Sequence, residues 1–337
     1  MECPRCKADN PDNAVYCKKC GMIVYGFVPL DSPALAAPRQ QIVRTIRGRD
    51  SSDVIFPEWW AFIPLILFAI SIAISIAIAL LSISSFSIGF MGNSPTTVMT
   101  QYLPFYAVEI GYSMTYSVIL GYLAYKLVSR ENNHYLREKR LKKAMVDFFD
   151  RAAGSPERKN QLSREISNLS LSYEDEPKRR NPLLWAMVFI VPSAVSNIYS
   201  LATFGALYNW SYSDPMDFAS IMGILMISML ILLMAVIFLI LEFYMFHFLG
   251  KTLKEHETKW HAFVYNSNLL LSKVGFPAQE RMSATKIHSR DTIVYVICTI
   301  FTLGLFMLFW WYCLVKDPNE HLAQQQEFEG HLLKVLS

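Results

Sequence analysis

Charge is what this chain has least of. Asp, Glu, Lys and Arg make up 18% of its 337 residues, against about a quarter in an ordinary soluble domain. The deficit is local. The windows 59–88, 104–128, 183–210 and 218–249 carry only Glu109, Glu242 and Lys126, and 292–315 carries no charge at all. Apolar stretches of about 20 residues cross about 30 Å of hydrocarbon as helices, so the composition excludes a soluble enzyme and a disordered chain. The ~10-residue alternation of a membrane β-barrel is missing too. No signal peptide is expected, because the N-terminus is polar and rich in cysteine.

Catalytic signatures are also lacking. There is no Gly-x-Ser-x-Gly elbow and no dinucleotide fingerprint. His256 and His261 are five residues apart where a zincin helix needs four, and Gly250, Lys251 and Thr252 follow Met245 where a phosphate loop requires Gly. The sequence therefore reads as a non-enzyme.

Lys and Arg are missing from the connections 87–103 and 211–217, while eight lie in 1–58, fourteen in 126–182 and seven in 250–291. Such alternation places the N-terminus and the two basic loops in the cytoplasm of a multi-pass plasma-membrane protein. Trp59, Trp60, Trp185 and Trp210 are expected at the interfaces. The expected class is an all-α polytopic membrane protein, with four spans plus a fifth span or a re-entrant hairpin at 292–315 and a small N-terminal zinc ribbon. Its segments are 1–25 (ribbon), 26–56 (Pro/Arg linker), 57–128 (first helix pair), 129–181 (basic helical hairpin), 182–250 (second helix pair), 251–291 (cytoplasmic helical segment), 292–315, and an amphipathic helix over 316–337. In the first span, Ala69, Ala73 and Ala77 form one small-residue row and Ser71, Ser75 and Ala79 another. They predict a helix packed on both sides, by this chain or by a second copy.

Four of the six cysteines stand in the first 20 residues, as Cys3, Cys6, Cys17 and Cys20. C-x2-C pairs on tight turns bring two sulfurs each to one tetrahedral ion, and a cytosolic location disfavours disulfides. The pattern predicts structural Zn2+ with no position left open for catalysis. Gly21 suits the positive φ after the second pair, and Lys7 holds the equivalent place after the first. Residues 1–22 resemble the short N-terminal zinc ribbons of many prokaryotic membrane proteins. That resemblance implies a docking module for a protein partner. A second resemblance, over 285–321, is to an uncharacterised prokaryotic membrane family. Thr302, Leu303 and Gly304 precede Trp310, Trp311, Tyr312, Lys316 and Asp317, although the usual Tyr after the Gly is absent. It implies membrane integration and no reaction.

Three membrane exits share one row at seven-residue spacing: Leu127, His134, Leu141, Phe148; Leu249, His256, Phe263, Leu270; and Leu314, His321, Phe328, Val335. Similar exits belong on one side, which favours the hairpin at 292–315. His134, His256 and His321 read first as polar positions of a helical seam, and second as a metal- or pH-sensing cluster. Glu109, Asn197 and Glu242 are the candidate intramembrane polar site, with His247 close by. Arg39, Arg44, Arg47 and Arg49, and the run Arg137, Lys139, Arg140, Lys142 and Lys143, are expected against anionic lipid headgroups or water. Without interleaved aromatics they argue against nucleic acid. The functional expectation is a membrane scaffold, adaptor or regulatory subunit, then a transporter or channel along Glu242 and Asn197, then a membrane enzyme.

Overall fold

The computed structural model describes all residues except 1, 4–5, 12–13, 15–16, 22–27, 29, 90–94, 175–178, 211–217 and 280–289. Among the described residues the chain is helical, and extended segments meet at one antiparallel bridge, Glu2 with Asp9. The helices are α1 (Pro33–Arg47), α2 (Arg49–Ser52), a 3-10 turn (Glu58–Phe62), α3 (Ile63–Gly89), α4 (Pro95–Ala152), α5 (Pro156–Glu174), α6 (Pro182–Trp210), α7 (Phe218–Lys273), α8 (Thr292–Phe301) and α9 (Leu305–Leu336). Three stretches among the described residues, 58–81, 182–206 and Phe218–Lys273, are long and apolar enough to cross a membrane, which marks a membrane protein. The stretch 104–128 of α4 is diluted by Tyr112, Ser113, Thr115, Tyr116 and Ser117 and falls short of that criterion.

α4 and α7 are each more than 80 Å long, at about 1.5 Å per residue. Each therefore passes without a break from an apolar half to a polar half. Two cores follow. The first gathers Leu123, Leu127, Trp185, Phe189, Phe246, Leu249, Trp310 and Leu314 around the apolar halves. The second gathers Leu141, Phe148, Trp260, Phe263, Leu270 and Phe328 around the polar halves. The shared seven-residue rows are thus stacked layers: the Leu layer in the first core, the two apolar layers in the second, and the His layer between.

The segment 26–56 is more than a linker. Ser32 caps α1, Pro33 occupies its first turn, and Leu35, Ile42 and Ile46 are buried at helical spacing in the second core. Pro33 thus starts a docked helix, and Pro38 lies buried within it. The basic run of α4 likewise divides by face. Lys139, Arg140 and Lys143 are exposed, but Arg137, Glu138 and Lys142 are buried. Seen around a helix, half of an apparently solvated stretch points inward.

α4 turns at Gly154 (φ 70°) into α5, whose Leu162, Ile166 and Leu169 close the second core. The apolar stretch 292–315 is broken at Thr302, Leu303 and Gly304, where Leu303 and Gly304 take φ of 52° and 93°. The chain folds back there, so that Tyr295 on α8 packs on Phe306 and Trp310 of α9 (centroids 5.0 and 5.2 Å). Arg290 and Asp317 close the base of this hairpin with two hydrogen bonds of 2.6 and 2.7 Å. The amphipathic C-terminal helix is therefore the continuation of α9. Ala69, Ala73 and Ala77 are exposed, so among the described residues of this chain α3 is packed on one side, not two. Trp59 is exposed, Trp60 stacks on Phe56, and Trp185 is buried against Phe248. The Trp210 side chain lies outside the described residues.

Candidate metal centres

The cysteine module is built from two matching turns. Lys7 N–H donates to Cys3 O and Gly21 N–H to Cys17 O, both at 2.9 Å. Lys7 and Gly21 then take nearly equal positive φ, 57° and 67°. The turns bring Cys3 Sγ within 3.6 Å of Cys20 Sγ and Cys6 Sγ within 3.5 Å of Cys17 Sγ, and all four sulfurs lie within 4.8 Å of one another. Bonds of about 2.3 Å to a tetrahedral zinc separate sulfurs by roughly 3.8 Å, so the four fit a shared ion. Burial opposes ionisation of Cys17, but the N–H groups of Cys20 and Lys19 outweigh it and lower its thiol to about 6. Asn10 holds the second turn by accepting from Lys18 N–H (2.9 Å) and donating to Ala8 O (2.7 Å).

The second centre lies between the two cores. α4, α7 and α9 each deliver one histidine to the same layer. The rings of His134, His256 and His321 stand nearly perpendicular to one another, with centroids 5.1, 5.1 and 5.6 Å apart. Glu138, one helical turn after His134, completes the group; it is fully buried, and the histidines are 1–5% exposed. Glu138 Oε2 lies 2.7 Å from His256 Nε2 and 3.4 Å from His134 Nε2, and it accepts from Gln325 Nε2 at 2.8 Å. The other oxygen pairs with Lys142. Asp53 sits 3.2 Å from His134 Nδ1 and also pairs with Arg137, which reaches Glu329 at 2.7 Å. Burial works against charge on His134, but Asp53 and Glu138 prevail and raise it to about 9. Burial pushes His256 and His321 down.

A cavity of about 50 Å³ adjoins this layer, lined by His134 and His321 together with Leu127, Glu131, Leu249 and Arg290. Glu138, Asp53 and Gln325 escape a reading of the sequence. For Glu138 the local signal is its i, i+4 spacing from His134.

Glu109, Asn197 and Glu242 are not linked to one another by a hydrogen bond or ion pair among the described residues. Glu109 is exposed on α4, and Glu242 is half-buried on α7. Asn197 donates to Ser113 and Ser193 at 3.3 and 3.5 Å and so ties α6 to α4. His247 meets Thr292 at 2.6 Å, at the start of α8. No known protein family, curated protein or solved structure matches the chain.

Proposed function

We propose that this protein is an integral membrane scaffold of the plasma membrane that docks a protein partner through its cysteine module and is not itself an enzyme. The carrying observation is the convergence of four thiols on one point. A structural zinc ion there has no open position for chemistry and holds a small, rigid docking surface. Among the described residues the ribbon's apolar cluster is its four ligands and Ala8, so zinc controls its folding. The continuous helices α4, α7 and α9 support the remainder of the reading. They make the membrane part and the polar-end core one column, to which α1 fastens the segment following the ribbon. In this reading α3, α4, α6 and α7 span the bilayer, the 292–315 segment re-enters, and the ribbon, the second core and the C-terminus are cytoplasmic. The exposed Lys139, Arg140 and Lys143 face anionic lipid.

The test is photocrosslinking in cells from Lys18 or Lys19, both exposed. Discrete adducts are expected, and Cys17→Ser is expected to abolish them together with the ribbon's zinc. A ribbon without metal, or adducts indifferent to Cys17, ends the docking reading. Reconstituted protein passing an ion or solute in a Glu242-dependent way would replace it with transport.

A further inference from the structure

Three imidazoles and one carboxylate have been carried to one buried point by three separate helices, and their nitrogen and oxygen atoms crowd together there. One carboxylate oxygen, Glu138 Oε2, is approached by His256 Nε2 at 2.7 Å, Gln325 Nε2 at 2.8 Å and His134 Nε2 at 3.4 Å. Its lone pairs satisfy two donors. His134 Nε2 and His256 Nε2 also face each other at 3.1 Å. The spacings have another origin in common. Bonds of about 2.0–2.1 Å from nitrogen or oxygen to a tetrahedral ion put neighbouring ligand atoms roughly 3.3 Å apart. The three distances within His134, His256 and Glu138 are 2.7, 3.1 and 3.4 Å, and His321 contributes a fourth atom within 4.8 Å of all of them.

The surroundings are those of a ligand shell. Asp53 stands behind His134 Nδ1 at 3.2 Å, which leaves Nε2 to point inward. Lys142 holds the outer oxygen of Glu138. Carboxylates and amides behind histidine ligands set the tautomer and the ring angle at metal sites. The layer is buried, and a cavity lined by His134 and His321 adjoins it.

We propose that His134, Glu138, His256 and His321 form a second, sulfur-free metal centre that binds a first-row divalent transition-metal ion between the two cores. Three imidazoles and one carboxylate suit zinc, iron, manganese or cobalt. Hard cations such as calcium would demand more oxygen, and copper(I) would demand sulfur. The ion pins α4, α7 and α9 at one level, just where the column leaves its apolar half.

Metal counting on the purified full-length protein tests this independently of the docking reading. Two ions per chain are expected. The double variant Cys17→Ser, Cys20→Ser should keep one, and the double variant His256→Gln, His321→Gln should also keep one, the ribbon's. X-ray absorption on the cysteine variant should show only nitrogen and oxygen neighbours, with imidazole scattering. This measurement needs no change in the centre itself, so it decides the matter even if the histidine variant fails to fold. A cysteine variant that retains no metal after loading with zinc, iron(II), manganese or cobalt overturns the proposal. So does a metal count that the histidine substitutions leave unchanged in a folded protein. Either result would make the layer a purely ionic, hydrogen-bonded network.

Discussion

Lys7 and Gly21 occupy the same place in their two turns, at φ of 57° and 67°. A side chain at positive φ costs about 1 kcal/mol that glycine does not. Lys7→Gly should therefore tighten zinc binding by the ribbon several-fold, read by competition with a chelator. Two asparagines, each two residues before a layer histidine, do matching work elsewhere. Asn319 donates to Phe56 O (2.7 Å) and accepts from Phe56 N–H (3.2 Å). Asn132 donates to Arg180 O (2.7 Å) and accepts from Arg180 N–H (3.0 Å). Each ties a helix leaving the apolar half to the segment preceding another membrane helix. Asn132→Ala removes two bonds and Asn319→Ala three, because Asn319 Oδ1 also accepts from Arg130 at 2.9 Å; each should cost about 1–3 kcal/mol in detergent melts. The Lys273–Glu165 pair between α7 and α5 tests pH dependence. Lys273 lowers the Glu165 carboxyl, so the pair stabilises above the usual carboxylate range and loses its effect as pH falls. Lys273→Met should cost under ~1 kcal/mol at pH 7, since both groups are partly exposed, and progressively less as pH falls below the usual carboxylate range.

Helix contacts are decided by what fits between backbones. A Cβ on Gly121 of α4 would lie 2.9 Å from Ala186 O and from Ile190 on α6. Gly121→Ala must push the two helices apart and should cost about 1–3 kcal/mol. Gly111 on the same helix has open space around its Cβ position, so Gly111→Ala is the neutral control. At the α8–α9 turn, Gly304 has room for a side chain but the wrong φ, 93°. Gly304→Ala should destabilise the hairpin by strain alone. Helix register carries the His layer. One alanine inserted between Val315 and His321 rotates His321 by about 100° about α9. The layer should then lose its ion while the ribbon keeps zinc, as metal counts would show.

Among the described residues, the cysteine module is a separate cluster and the helices form two cores joined by the His layer. Deleting residues 1–22 should leave the melting of the helical part unchanged. Stripping metal from the ribbon-less protein should lower its melting temperature, because an ion bound only by the folded state stabilises it in proportion to its occupancy.

The helical class, the extent of the apolar stretches, the cysteine pairs and the seven-residue rows were legible in sequence because each depends on local spacing. A helix turns every 3.6 residues whatever surrounds it, and two cysteines three positions apart share a turn in any context. The rows even placed the three histidines at one level. Which faces meet is not local. That Asp53 stands behind His134, that Glu138 and Lys142 turn inward from a basic run, and that a proline-rich stretch docks as α1 depend on the rotation of separate helices about their axes. That rotation is set by packing among residues up to about 280 positions apart, such as Asp53 and Glu329 around Arg137. Only the tertiary structure decided it, and with it the difference between three polar seam positions and a buried layer of three imidazoles and one carboxylate.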